Sequence, residues 1–229
     1  LIMMCEIPSN ALLADEFLIT VTQFFRDQET YQYLERLAIP RLFKGKQAAN
    51  RSRIRIRIWS VGCATGEEAY SVAMLMAEQA ARHSGPLEVQ IFASDLHDHS
   101  LQQAREGLYP ETISADVSPE RLKRFFTRED GSYRIRKDLR EMVVFANHNL
   151  LKDPPFSHID LILCRNVLIY LQRGPQHDVL NLFHYALVPD GILVLGSSET
   201  VDRAGLFKVE NKRCSVYRRR NVPAPEPRL

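Results

Sequence analysis

Only four cysteines stand in the 229 residues (Cys5, Cys63, Cys164 and Cys214), and no two are spaced closely enough for a metal knuckle. That scarcity argues against a disulfide framework or a cysteine-built zinc site. Cys63 and Cys164 fall inside apolar strand-end patterns and read as buried small residues of a reducing cytoplasm. Long apolar runs are also missing, and no leader pattern is visible, so neither membrane insertion nor secretion is expected. Charge of one sign is scarce too: 30 Lys+Arg against 28 Asp+Glu leaves +2, which makes no bulk case for a nucleic-acid partner. Arginines do cluster, as Arg51, Arg53, Arg55 and Arg57 and again as Arg218-Arg219-Arg220. The first cluster reads as the solvent face of a strand, with a patch for an acidic partner as the alternative. No internal repeat is evident, and the length suits one substantial domain.

What is present centres on Ile58-Trp59-Ser60-Val61-Gly62-Cys63-Ala64-Thr65-Gly66-Glu67-Glu68. A β-type run (Ile54, Ile56, Ile58, Val61) breaks at Gly62 and resumes as a helix pattern after Gly66. A strand, a glycine loop and a helix start are where doubly wound folds hold an adenine-bearing cofactor. A phosphate cradle would want Lys-Ser/Thr after Gly66; Glu67-Glu68 stand there instead. Carboxylates repel a pyrophosphate and attract a cation such as the ammonium group of S-adenosylmethionine. The loop therefore reads as a methyl-donor site, with Gly62 and Glu68 at its two ends.

Along the rest of the chain, residues 11–50 look helical, with Thr22 capping a helix that carries Phe24, Phe25, Tyr31, Leu34 and Leu37. Pro40 should interrupt that helix, and Gly45 through Ser52 should form a polar loop. Strands are expected at about 54–61, 89–94, 142–146, 159–164, 191–196 and 214–217, with helices near 66–83, 98–107 and 175–187. Residues 119–147 break the alternation with a short helix and two strand-like runs, Tyr133–Arg136 and Met142–Ala146, the second returning to the main sheet. The fold class is α/β: a doubly wound, mostly parallel sheet covered on both faces. The proline-rich 221–229 reads as a linker from a longer protein.

Further signals lie at expected strand ends. Asp95 closes the second strand, where a carboxylate can accept hydrogen bonds from both ribose hydroxyls; helix capping is the alternative. The neighbouring His97 and His99 suggest a metal, but no further cluster completes a site, so none is assigned. Asn149 and Leu150 suit the edge and face of an adenine ring, or else form a simple turn. Arg165 and Asn166 follow a buried strand and either face the ligand crevice or cap the next element. Arg26, a cation beside two aromatics, reads by itself as a surface or salt-bridged arginine.

Together these segments resemble the CheR-type chemotaxis-receptor glutamate methyltransferases. The matching stretches are Thr20–Asp27, Trp59–Ser71, Phe92–Asp95, Arg105–Pro110, Asn149–Leu151, Cys164–Tyr170, Pro189–Gly191 and Gly196–Glu199, all in one order. The resemblance implies a class I, Rossmann-like domain over 51–220, with a small β-subdomain inserted near 119–141. It also implies a short N-terminal helical segment, 1–50, as the remnant of a helical domain. It implies S-adenosylmethionine as cofactor, S-adenosylhomocysteine as product, and a methyl-accepting chemoreceptor or related signalling protein as substrate. By the same resemblance Thr20, Thr22, Arg26, Glu68, Asp95, Asn149, Leu150, Arg165 and Asn166 line the cofactor site, and Arg26 and Tyr170 flank the methyl-transfer point. The sequence departs from the pattern in the few residues ahead of Thr20, in the short segment around Arg128–Arg134, and in Ala69, where proline is usual. A same-fold enzyme with another acceptor, or a sensing module that binds the cofactor without turnover, are the alternatives.

Overall fold

Strand β1 (Ile54–Val61) lies in the interior of a seven-stranded sheet, and its alternating β-branched residues explain why. Ile56 and Ile58 enter one core, Trp59 and Val61 the other, so the strand is buried on both faces. The computed structural model describes residues 22–48, 54–201 and 205–223. Thr20, the residues before Thr22, Arg51, Arg53 and most of the expected linker lie outside them.

The sheet runs in the order β6 (Val143–Asn147), β2 (Leu87–Asp95), β1, β7 (Ile159–Cys164), β8 (Leu187–Leu195), β10 (Val216–Arg219), β9 (Phe207–Asn211). Neighbours from β6 to β8 are parallel, while β10 runs antiparallel to β8 and β9. Strand order therefore reverses between β1 and β7, which opens a crevice at their carboxyl ends. Val61 and Cys164, partners in register, mark its floor.

One face of the sheet packs against α1 (Gln28–Tyr33), α2 (Ile39–Ala48), α3 (Glu67–Ala80) and α4 (Asp98–Glu106). The other packs against α7 (Arg173–Ala186) through Val179, Leu180, Leu182, Phe183 and Ala186. Helix α3 is buried on all sides from Ala69 to Met76, because the sheet covers it from below and the N-terminal segment from above. Its one polar residue in that run, Ser71, donates to Glu67 O (2.6 Å) and accepts the Phe25 N–H (3.0 Å), which pins the N-terminal turn onto α3.

Between α4 and β6 the chain builds a three-stranded sheet, β3 (Leu108–Pro110), β5 (Ser132–Ile135) and β4 (Phe126–Glu129), with α5 (Pro119–Phe125) before it and α6 (Lys137–Arg140) after it. Strands β3, β4 and β9 were not anticipated; each is only three to five residues long, below what alternation can register.

The N-terminal helices correct four expectations. Thr22 caps nothing, since the helix begins at Gln28 after a turn at Phe24–Asp27, and Leu37 is exposed. Pro40 does not end the helix: a wide π-helical turn, Leu34–Ala38, precedes it, with the Ile39 N–H reaching Leu34 O. That extra residue makes room for the proline ring, and α2 continues to Ala48 through the expected loop. Lys46 near its end pairs with buried Asp160 at 2.7 Å, tying the helix to β7. Of the arginine row, Arg55 faces solvent as expected, whereas Arg57 is half-buried over the Phe92 ring.

Candidate functional site

The loop from Gly62 to Gly66 turns the chain from β1 into α3 by left-handed φ values at Gly62 (66°), Ala64 (47°) and Gly66 (94°). A Cβ on Gly62 would lie 2.5 Å from Val167 Cγ2, and one on Gly66 would lie 2.9 Å from Ala104 Cβ. The protein's own packing already requires both glycines, a reason distinct from the ligand approach expected of the motif.

Asp95 faces this loop from the end of β2. Its Oδ2 accepts the Ala64 N–H (2.8 Å) and its Oδ1 the His97 N–H (3.0 Å). Each carboxylate oxygen has a second lone pair, so the group is oriented by the backbone and still able to accept two more donors. It is not the helix cap: His97 caps α4, its Nδ1 accepting the Ser100 N–H. Among the described residues no group of three or more His, Cys, Asp or Glu could hold a metal ion.

The expected carboxylate pair splits. Glu67 turns back to the Thr65 hydroxyl (2.7 Å), while Glu68 accepts the Ser60 hydroxyl (2.9 Å) and lies 3.5 Å from Arg165. Arg165 is buried, with 2% of its side chain exposed, and also pairs with Asp27, which is 43% exposed. Its guanidinium lies 5.5 Å from the Tyr31 ring centroid. Burial pushes the Glu68 carboxyl above the usual range, and Arg165 and Ser60 pull it back. Burial likewise pushes the Tyr31 phenol up, with Glu68 adding to it. Arg165 thus joins the N-terminal turn, α1 and α3 at the end of β7, which is more than either capping or lining a crevice.

Arg26 is half-buried in that turn, between two left-handed residues, Phe25 (φ 51°) and Asp27 (φ 61°). The turn is anchored by Phe24, whose ring meets Tyr109 and Phe126 edge-on at 4.9 and 5.8 Å, and by Phe25, stacked under the Arg121 guanidinium at 4.6 Å. Two non-glycine residues in the left-handed region cost free energy that this packing offsets.

At the other strand ends, Asn149 Oδ1 accepts the Leu151 N–H (3.0 Å) and its own N–H donates to Asp153 (2.7 Å). The simple turn is therefore real, and it leaves the side-chain NH2 to donate elsewhere. Leu150 packs on the second core. Asn166 adopts φ 60°, and its Oδ1 is buried with no hydrogen-bond partner among the described residues. Tyr170 closes a short 3-10 turn, Leu168–Tyr170, and is 63% exposed. Thr22 is half-buried at the edge of the described chain. Asp27, Tyr31, Ser60 and Glu199 were not singled out beforehand. Tyr31 was legible only as part of an apolar helix pattern, and Asp27, Ser60 and Glu199 only as members of matching stretches.

A seven-stranded sheet of this order, with one antiparallel strand and acidic side chains beside a glycine loop at the reversal, is the fold of the class I S-adenosylmethionine-dependent methyltransferases. The profile described as "CheR methyltransferase, SAM binding domain" matches residues 20–216. The chain is 35% identical over 193 residues to a chemotaxis protein methyltransferase of Borreliella burgdorferi, covering 82% of this chain and 67% of that one. It is 34% identical over 200 residues to one of Listeria innocua, covering 86% and 72%. An uncharacterized 104.1 kDa protein of Rhodobacter capsulatus is 44% identical over 191 residues, which are 83% of this chain but 20% of that protein. The chain belongs to the CheR methyltransferase family, as its SAM-binding domain, and its cofactor is S-adenosylmethionine.

The ion cluster can be tested by itself. Arg165→Met should cost about 3–5 kcal/mol in urea unfolding, because it leaves Glu68 buried without its cation. Adding Glu68→Gln should recover most of that loss. Glu68 has a raised folded-state pKa, so the protonated form favours the fold and stability falls as pH rises through that value. The Arg165→Met deficit should therefore shrink as pH is lowered from neutrality.

Proposed function

We propose that this domain transfers a methyl group from S-adenosylmethionine to a glutamate side-chain carboxylate of a chemoreceptor or related signalling protein. The observation that carries the reading is the placement of Arg26 on an anchored, conformationally costly turn that Asp27 ties to Arg165 and hence to Glu68. On this reading Asp95 takes the ribose hydroxyls, Glu68 the ammonium group, and Asn149 and Leu150 the adenine. Asn166, with its orphaned buried oxygen, and Arg165 complete the wall, joined by Gly62, Thr20 and Thr22. The residues fit the cofactor: Asp95 keeps lone pairs for hydroxyls beside its two backbone partners, Glu68 is a carboxylate that already holds one cation, and the Asn149 amide can donate to a ring edge.

The bound cofactor supplies an electrophilic methyl on a sulfonium. A substrate glutamate is already ionised at neutral pH, so no residue of this chain need remove a proton. The chain's task is alignment and exclusion of water, where positioning can supply on the order of 7–11 kcal/mol. On this reading Arg26 offers a planar two-pronged donor for the substrate carboxylate, and the exposed Tyr170 supplies its hydroxyl beside it. We propose further that residues 1–50 belong to a helical segment, 51–220 to the catalytic domain and 221–229 to a linker. The protein is proposed to work in the cytoplasm. Buried free thiols at Cys63, Cys164 and Cys214 accord with a reducing compartment, and no helix of the described residues is long and apolar enough to cross a membrane.

Asp95→Ala should weaken S-adenosylhomocysteine binding, measured by calorimetry, by roughly 1.5–3 kcal/mol, the worth of hydrogen bonds to a charged group. Unchanged affinity would remove the ribose role. The function itself is tested with methyl-labelled cofactor and candidate receptor proteins, by counting base-labile methyl groups. Wild type should label glutamate, and Arg26→Lys, which keeps charge but loses the fork, should lose mainly turnover. Tight cofactor binding with no transfer to any acceptor would leave a sensing module instead.

A further inference from the structure

Tyr170 is carried by a segment that two side chains hold from opposite sides. Glu199, 4% exposed, accepts four backbone N–H groups. Its Oε1 takes those of Leu168 (2.7 Å) and Ile169 (3.4 Å), and its Oε2 those of Asn166 (3.0 Å) and Gly196 (2.6 Å). From α7, Gln176 Nε2 donates to the carbonyl oxygens of Leu168 and Leu171, both at 2.9 Å. One residue thus gathers the donors of the turn and the other its acceptors. A cavity of about 100 Å³ lies against the turn, lined in part by Leu168, Ile169, Gln176, His177, Leu180 and Glu199 itself.

We propose that Glu199 and Gln176 are positioning residues, which fix the Tyr170 hydroxyl relative to the methyl-transfer point. The inference rests on the role given to Tyr170 under the proposed function. Its chemistry is specific: a carboxylate is acceptor-only on both oxygens, and here each oxygen meets two donors. In Glu199→Gln one oxygen becomes an NH2 group facing two N–H groups, so half of the four bonds are lost whichever way the amide turns. The substitution preserves shape, and the lost geometry falls on the turn. Gln176→Met removes both donors on the other side while keeping side-chain length.

The test compares wild type, Glu199→Gln, Gln176→Met, Tyr170→Phe and the Glu199→Gln/Tyr170→Phe double variant. For each, kcat and KM for labelled methyl transfer and the S-adenosylhomocysteine Kd are measured. A misplacement of about 1 Å can cost on the order of 100-fold in rate. Glu199→Gln should accordingly lower kcat by about 10- to 100-fold with KM and Kd little changed, and Gln176→Met should do the same more weakly. The double variant should be no slower than Tyr170→Phe. A Glu199→Gln loss of equal size on both backgrounds, or one confined to Kd, would overturn the proposal. Should wild type transfer no methyl to glutamate, the proposed function fails and the clamp is judged separately by amide hydrogen exchange. Faster exchange in Glu199→Gln confined to residues 166–171 and Gly196 supports it, and unchanged exchange there overturns it.

Discussion

A guanidinium with almost no access to water holds this site together. Arg165 leaves the end of the central strand β7 and meets Glu68 from the first turn of α3, Asp27 from the N-terminal turn and the face of Tyr31 from α1. Burying one ion costs several kcal/mol, and only close partners with further hydrogen bonds repay it. The buried cation is therefore compensated only while three separate segments converge on it. The contacts that compensate the buried charge also bring together the strand ends around the proposed crevice.

Around that centre the chain uses polar side chains where a loop must hold a shape that packing cannot impose. Ser71 takes the Phe25 N–H inside an otherwise apolar helix, Asp95 orients itself on Ala64 and His97, and Glu199 collects the donors of the turn after β7. Each satisfies backbone groups that burial would otherwise leave costly. Each also joins two segments that meet only at the carboxyl edge of the sheet. The left-handed residues Phe25, Asp27, Ala64 and Asn166 cluster at that edge, where the surrounding packing offsets their conformational cost.

Much of the fold was legible because the long strands are strongly patterned. Ile54–Val61 and Ile159–Cys164 announce themselves by β-branched and apolar runs, and the turn at Gly107 ends α4 where the sequence placed it. The N-terminal helices were misread because a proline normally ends a helix, and nothing local reveals that a π-helical turn one residue upstream will absorb it. The short strands β3, β4 and β9 are set by pairing partners rather than by their own periodicity. In the site, positions were easier than partnerships. Glu68, Asp95 and Arg165 could be named from motif and resemblance, but the Glu68–Arg165 contact spans 97 residues of sequence and depends on tertiary packing. The four N–H groups on Glu199 arise from two loops that only the finished sheet brings together.

The central claim is that the crevice between Asp95 and Asn166, organised by Arg165 and Glu68, is where S-adenosylmethionine sits. A crystal structure of the chain with S-adenosylhomocysteine tests it most directly. The account predicts the ribose hydroxyls on the Asp95 carboxylate, the amino group within hydrogen-bond reach of Glu68, and Arg165 still paired with Asp27. A product molecule bound away from the β1–β7 reversal, or one in this crevice with neither Asp95 nor Glu68 in contact, would contradict it.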